Sequence, residues 1–267
     1  VEMTIHILKT NSVEAPFLSK NTERGWWSAE MDNQFKETFG SWIQAIGTVI
    51  SAIAGTPSHV LDEEFRTNLD LIGNELQATG NALLADAEET WSLDKFGNQL
   101  QAIGNSTVIL GLVIDFDEIT KQELIIKGNL IQALGGGTAL AGAYENPDEP
   151  EQAFNATGNL LQAIGNSMQA MGGIAELKNS ILEKDQDNDQ EQEEKDKEQE
   201  QEQQKYQYPY LEEKPSDGEL IQVVGGWVQA VGSVISLIGQ LRSNEDENSG
   251  NGSSNESISN DEWHESP

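Results

Sequence analysis

The stretch GNLLQAIGNSMQAMGG, residues 158–173, returns to glycine every seventh residue within a run of good helix formers. Glycine costs roughly 1 kcal/mol relative to alanine inside an exposed helix, so its regular return demands a reason. The same frame, G-x-x-Φ-Q-[A/V]-x-G with Φ apolar, recurs along the chain. It reads GSWIQAIG at 40–47, GNELQATG at 73–80, GNQLQAIG at 97–104, GNLIQALG at 128–135 and GNLLQAIG at 158–165. GNSMQAMG at 165–172, GELIQVVG at 218–225 and GGWVQAVG at 225–232 complete the set. Successive clusters start about 30 residues apart, apart from one doubled step before 218, which is the spacing of a repeat architecture.

Gly-Asn pairs can also mark hairpin turns with short strands between them. Leu, Gln, Ala and Met favour helix, however, and no alternation of apolar and polar residues appears. On a helical wheel Leu160, Leu161, Ala163 and Ile164 fall on one continuous apolar arc, while Gly158, Asn159 and Gln162 fill the remainder. A strand would scatter the same residues over both faces. Glycine at the border of the arc lets a neighbouring backbone approach, and the adjacent Gln can hydrogen-bond across the contact. The alternative is a tolerated glycine copied by duplication, with no packing role.

Six helices are expected, at about 28–54, 60–88, 92–114, 118–144, 149–182 and 217–242, from apolar periodicity and breakers. Ser216 and Glu219 form an S-x-x-E capping box before the last, and Pro57, Pro147 and Pro150 punctuate linkers. The fold class is therefore all-α, a helical bundle or stacked antiparallel helix array. The expected organisation is an N-terminal arm at 1–27, five helices at 28–182, an acidic low-complexity linker at 183–215, a sixth helix at 216–242 and a disordered acidic tail at 243–267, with 183–205 either disordered or a solvated helical extension. The outer helices are alike: GSWIQAIGTVISAIAG (40–55) matches GGWVQAVGSVISLIGQ (225–240), with Trp42 and Trp227 in register. Their apolar arcs, Trp42, Ile43, Ile46, Ile50 and Ile53 against Trp227, Val228, Val231, Ile235 and Ile238, are expected to cover each other or a partner.

These repeats, with WIQAIG at the start, resemble an uncharacterised family of repetitive proteins from Gram-positive bacteria over residues 38–180 and 218–240. The resemblance implies no activity, cofactor or catalytic residue.

The chain carries 46 acidic and 15 basic residues, a formal net charge of −31. With no basic stripe, nucleic acid is not an expected partner. The absence of cysteine removes disulfides, thiol catalysis and Cys-based zinc sites. His6, His59 and His264 lie in three separate contexts and form no metal-binding pair. GGGTALAG (135–142) lacks the lysine of a phosphate cradle. Asp185, Asp187 and Asp189 open like a calcium loop, but Gln190 and Asp196 replace its glycine and final glutamate. Asp115 and Asp117 read as a solvated turn rather than an acid/base pair. No catalytic, cofactor-binding or metal residues are expected. A start without a basic n-region and apolar core points to a cytoplasmic location.

The leading expectation is a non-enzymatic structural or protein-interaction module whose partner is another protein or itself. Its interaction residues would be Trp42, Ile46, Trp227, Val231, Gly165 and Gln162. The alternative is a membrane-active helical bundle, lipid-binding or pore-forming. Uncharged runs at 38–61, 152–175 and 220–241 approach spanning length, against a mean hydropathy of −0.51.

Overall fold

The structure, a computed structural model, describes residues 33–144, 150–195 and 215–256. These residues form helices α1 (Asn33–Gly55), α2 (Glu63–Ala87), α3 (Leu93–Val113), α4 (Glu118–Ala143), α5 (Pro150–Lys195) and α6 (Asp217–Glu256), with no strand among them. The expected N-terminal arm, the YQYPY segment (206–210), Trp263 and His264 lie outside the described residues. One boundary is corrected, the end of the last helix at 242, and of the two readings of 183–205 the helical extension is found as far as 195. The last two helices continue past 182 and 242 into the acidic stretches read as linker and tail. From 183 to 195 the cause is plain: Gln, Glu and Lys are good helix formers and no Gly or Pro interrupts them.

Side chains start the helices where the sequence places capping residues. The first free N–H groups are met by Asp62 (to Phe65 N, 2.8 Å), Ser92 (to Lys95 N, 2.9 Å), Asp117 (to Thr120 N, 3.1 Å) and Ser216 (to Glu219 N, 3.0 Å). Asp117 is thus a cap, and Asp115 pairs with Lys121 at 3.7 Å.

The helices pair as three antiparallel hairpins, and glycine sets the register of each. A Cβ added to Gly40 would lie 2.9 Å from the Gly80 carbonyl oxygen, and one on Gly80 2.6 Å from that of Gly40. Seven residues on in α1 and seven back in α2, Gly47 and Gly73 repeat the contact at 2.6 and 2.8 Å. Gly97 meets Gly135 and Gly104 meets Gly128 across α3 and α4, at 2.7 Å in both directions. Gly158 with Gly232, Gly165 with Gly225 and Gly172 with Gly218 do the same across α5 and α6. No side chain fits between backbones held this close, which accounts for the seven-residue return of glycine.

Each helix touches two neighbours, and α6 closes on α1, so the three hairpins form a ring. Smaller contacts seal the ring between hairpins. Gly136 of α4 sits against Asn159 and Ala163 of α5, and Gly226 of α6 against Ala52 of α1.

The ring reverses the usual sidedness of a helix bundle. Gly, Asn and Gln occupy the first, second and fifth positions of the frame, within about 100° of one another on the wheel, and this face points inward. Gln162 is 1 % exposed and Asn166 fully buried, whereas Ile164 is 43 % and Leu160 44 % exposed. The buried apolar side chains are mostly alanines, joined by Val108, Ile126 and Leu237.

Of the two coverings expected for the terminal apolar arcs, by each other or by a partner, the first is not found. The terminal helices do associate, but not through their apolar arcs. They meet through small and polar residues: Thr48 Oγ1 lies 2.6 Å from Ser233 Oγ, Ala45, Ala52 and Ala230 are buried, and Trp227 Nε1 donates to Thr56 Oγ1 at 3.0 Å. Trp42, Ile46, Trp227 and Val231 remain 42–52 % exposed. The reason is geometric, because helices packed on glycine have room for alanine or serine at the contact and none for isoleucine.

A substitution pair tests the close approach. In Gly165→Ala the new Cβ would stand 2.5 Å from the Gly225 carbonyl oxygen, and the fold should lose about 1–3 kcal/mol in chemical denaturation. A Cβ on Gly137, also mid-helix, meets nothing within 4 Å, so Gly137→Ala should gain about 0.5–1 kcal/mol from helix propensity. Equal shifts in the two variants would contradict the glycine account.

Candidate functional site

The inward face builds a polar axis. Every helix contributes a glutamine at least 95 % buried: Gln44, Gln77, Gln101, Gln132, Gln162 and Gln229, each four residues after a packing glycine. Gly40 faces Gly80 and Gly47 faces Gly73, so Gln44 and Gln77 lie within the same seven-residue span. The same holds for Gln101 with Gln132 and for Gln162 with Gln229. The six carboxamides therefore crowd into roughly 10 Å of the axis, at 1.5 Å rise per residue.

Five of them bond to one another across the ring in two clusters. Gln229 Nε2 donates to Gln77 Oε1 at 2.9 Å and to Gln132 Oε1 at 3.3 Å, joining α6, α2 and α4. Gln44 Nε2 donates to Gln162 Oε1 at 3.1 Å and to Asn81 Oδ1 at 2.8 Å, joining α1, α5 and α2. A carboxamide both donates and accepts, so one residue type can supply both partners of each bond, which an ionised carboxylate, an acceptor only, could not. The bonds matter because an unpaired amide costs heavily in a low-dielectric interior. One turn beyond Gln101 and Gln162 stand Asn105 and Asn166, buried to within 1 %. The Asn105 carboxamide and Asn166 Nδ2 meet no protein partner.

A cavity opens at each end of the axis. At the α2 N-terminus a volume of about 550 Å³ is lined by Gln77, Gln132 and Gln229 and by Ser51, Asn74, Asn129 and Gln222, with Glu63, Arg66, Asp70 and Glu219 among its charged groups. At the opposite end about 280 Å³ is lined by Gln44, Gln162, Ser41 and Ser236, with Glu37, Glu88 and Asp94. Arg66 is partly committed, its Nε donating to the Ala54 carbonyl at 2.8 Å. Asp70 accepts from Asn74 Nδ2 at 3.0 Å. Loss of water around the Asp70 carboxyl pushes it up to about 6, against the opposing hydrogen bonds from Ser51 and Asn74.

Of the residues singled out in the sequence, Gly165 and Gln162 belong to this interior, while Trp42, Ile46, Trp227 and Val231 lie on the outer surface. The two sets are not brought together. Gln77, Gln132, Gln229 and Asp70 were not singled out. The signal for the glutamines was the fixed Gly-to-Gln spacing, which places both on one face; nothing local marks Asp70. No group of three His, Cys, Asp or Glu suited to a metal ion occurs among the described residues, and GGGTALAG lies within helix α4 rather than in a loop.

A family model described as a family of unknown function, DUF6944, matches residues 35–237. The chain belongs to that family. The match runs from the first turn of α1 to the apolar part of α6, so it takes in the whole glycine-paired ring of this DUF6944 protein. No curated protein and no solved structure matches it.

Asp70 gives the DUF6944 ring a pH signature. Its carboxyl titrates at about 6 when folded against 3.8 as reference, so the folded state holds the proton more tightly. Its contribution is most favourable below about pH 4 and is lost as pH rises through 6. Asp70→Asn should therefore melt higher than the parent at pH 7.5, with the gap closing by pH 4. Glu63 and Arg66 on the same helix and Glu219 on α6 share the cavity, so the difference between the two proteins is the quantity to follow. A gap constant from pH 4 to 7.5 would exclude the assignment.

Proposed function

We propose that the chain is a non-enzymatic helical bundle that works embedded in a lipid bilayer, its apolar side chains facing the acyl chains and its carboxamides facing the axis. The observation that carries this reading is the inverted sidedness of the ring. Large apolar residues are exposed on all six helices, among them Trp42, Ile72, Ile103, Leu134, Ile164 and Val231, while glutamines and asparagines are buried. Water-borne proteins seldom leave such surface uncovered, since each Å² of apolar area in water forgoes about 25 cal/mol.

Helix packing supports the same reading. In a bilayer apolar burial cannot hold helices together, and small residues with cross-helix Ser, Thr, Asn and Gln bonds do so instead. Those are the residues found between these helices. Charge is nearly absent from the belt: 38–61, 96–114, 128–144, 152–175 and 220–241 carry none, and 71–85 carries only Glu75. Asn33–Gly55 and Asp217–Ser243 are long and apolar enough to span, with mean hydropathy 1.2 and 1.6, and only 44 % and 33 % of those windows is buried in the bundle. The other helices score lower because their inward Asn and Gln count against them without touching lipid.

A self-associating structural module is the second reading. It is favoured by exposed Glu75, Gln99 and Ser106 on α2 and α3, which suit a protein partner better than acyl chains.

Flotation with neutral phosphatidylcholine vesicles separates the two. The chain should rise with the vesicles and stay with them through alkaline carbonate. Ile46→Arg with Val231→Arg should weaken partitioning at least a hundredfold, since a charge at mid-bilayer costs about 2.5–3.5 kcal/mol, while circular dichroism stays helical. A protein that remains with the aqueous fraction as a defined oligomer would replace the lipid reading with self-association.

A further inference from the structure

The two cavities approach the glutamine ring from opposite ends of the same axis. Gln77, Gln132 and Gln229 face one, and Gln44 and Gln162 face the other. What divides them is the carboxamide layer itself, confined to a single seven-residue span. We infer that the axis is a path for small cations, closed at the glutamine ring and opened by rotation of its carboxamides. This inference rests on the lipid reading and assigns that bundle a permeant species.

Three features point to cations and to this position for the barrier. The first is chemical: amide oxygens can replace part of an ion's hydration shell, as backbone carbonyls do in selective filters. Gln77, Gln132, Gln229, Gln44 and Gln162, which line the two cavities, supply such oxygens within one span of the axis.

The second is electrostatic. Glu63, Asp70 and Glu219 outnumber the single Arg66 at the wider cavity, and Glu37, Glu88 and Asp94 line the narrower one with no Lys or Arg. Acidic rings at both mouths concentrate cations and repel anions.

The third is the mechanical character of the barrier. The bonds closing the ring link side chains rather than backbones, at 2.9–3.3 Å, and each can break by rotation about side-chain torsions without moving a helix. The helices themselves are locked by their glycine contacts. Asn105 and Asn166 are buried one turn from the ring; the Asn105 Oδ1, with no protein partner, offers a contact to a passing cation, and the free Nδ2 groups of both offer donors to a rotated carboxamide.

Two experiments test the path. In phosphatidylcholine vesicles loaded with potassium chloride, Gln132→Ala should raise potassium efflux at least tenfold over the parent chain and chloride efflux much less. Adding Glu219→Gln should reduce the preference for potassium. Because the chain contains no cysteine, a single cysteine at Asn129 in the wider cavity or Ser41 in the narrower one reports access directly. A cationic methanethiosulfonate should modify each in the vesicle-bound protein at least tenfold faster than an anionic one of similar size.

If the parent chain does not stay with vesicles, the lipid reading and the path fall together. If it stays, and helical Gln132→Ala leaks potassium no faster than the parent, the path alone falls. Should Gln132→Ala lose its helix content, the cysteine rates decide: equal rates for the two reagents, or no reaction at either position, would overturn the inference.

Discussion

Everything in this bundle depends on backbone meeting backbone at glycine. A pair such as Gly104 and Gly128, where a Cβ on either would stand 2.7 Å from the other's carbonyl oxygen, fixes the distance, direction and register of two helices at once. Repetition at seven-residue steps removes the freedom a single small-residue contact would leave. A slip by one residue would set side chains against carbonyls along the whole interface. The roughly 1 kcal/mol that each glycine costs in helix propensity is offset only when the partner helix is in place, so hairpin formation and helix stability are coupled.

The polarity of the two faces follows from that spacing. Between helices so close, the contact positions admit Gly, Ala and Ser, and the residues next to them point at the axis. Six helices in a ring leave an interior that side chains must reach across, and glutamine is long enough to do so while satisfying both its donor and its acceptor. Leucine and isoleucine at the third, fourth and seventh positions have no space inward and turn outward or to the flanks. Residue size decides which face is inside here, and polarity follows.

Much of this was legible in the sequence. The glycine period gave helices, their antiparallel pairing through short connections, and a reason for close approach. The capping box of Ser216 and Glu219 marked the start of α6, whereas the caps Asp62, Ser92 and Asp117 were found only in the structure, Asp117 having been read as part of a solvated turn. What could not be read was the direction of each face. The arc of Leu160, Leu161, Ala163 and Ile164 is equally visible whether it covers a core or a surface. The mutual covering expected of Trp42 and Trp227 assumed the former, the default for a chain in water. The meeting of the terminal helices was expected, but not its residues, because α1 and α6 meet through Thr48, Ser233, Ala52 and Gly226, which individually resemble those of any other helix contact. Asp70 escaped for a related reason: the cavity it lines is built by all six helices together.

The sidedness and the surroundings of the bundle are thus one question. A ring held by apolar burial would weaken if its outer face were placed in lipid, because nothing would then favour apolar contact inside over apolar contact outside. A ring held by glycine contacts and amide bonds has the opposite dependence. Its interior gains from exclusion of water, which otherwise competes for every carboxamide, and its exterior gains from an apolar surround. The buried network joining Gln229 to Gln77 and Gln132 therefore becomes stronger under the conditions in which Ile46, Leu134 and Val231 are also best accommodated. Interior and exterior favour the same environment, and it is the one in which hydropathy summed along the chain misleads most, since that sum charges the inward amides against helices whose outward faces are apolar.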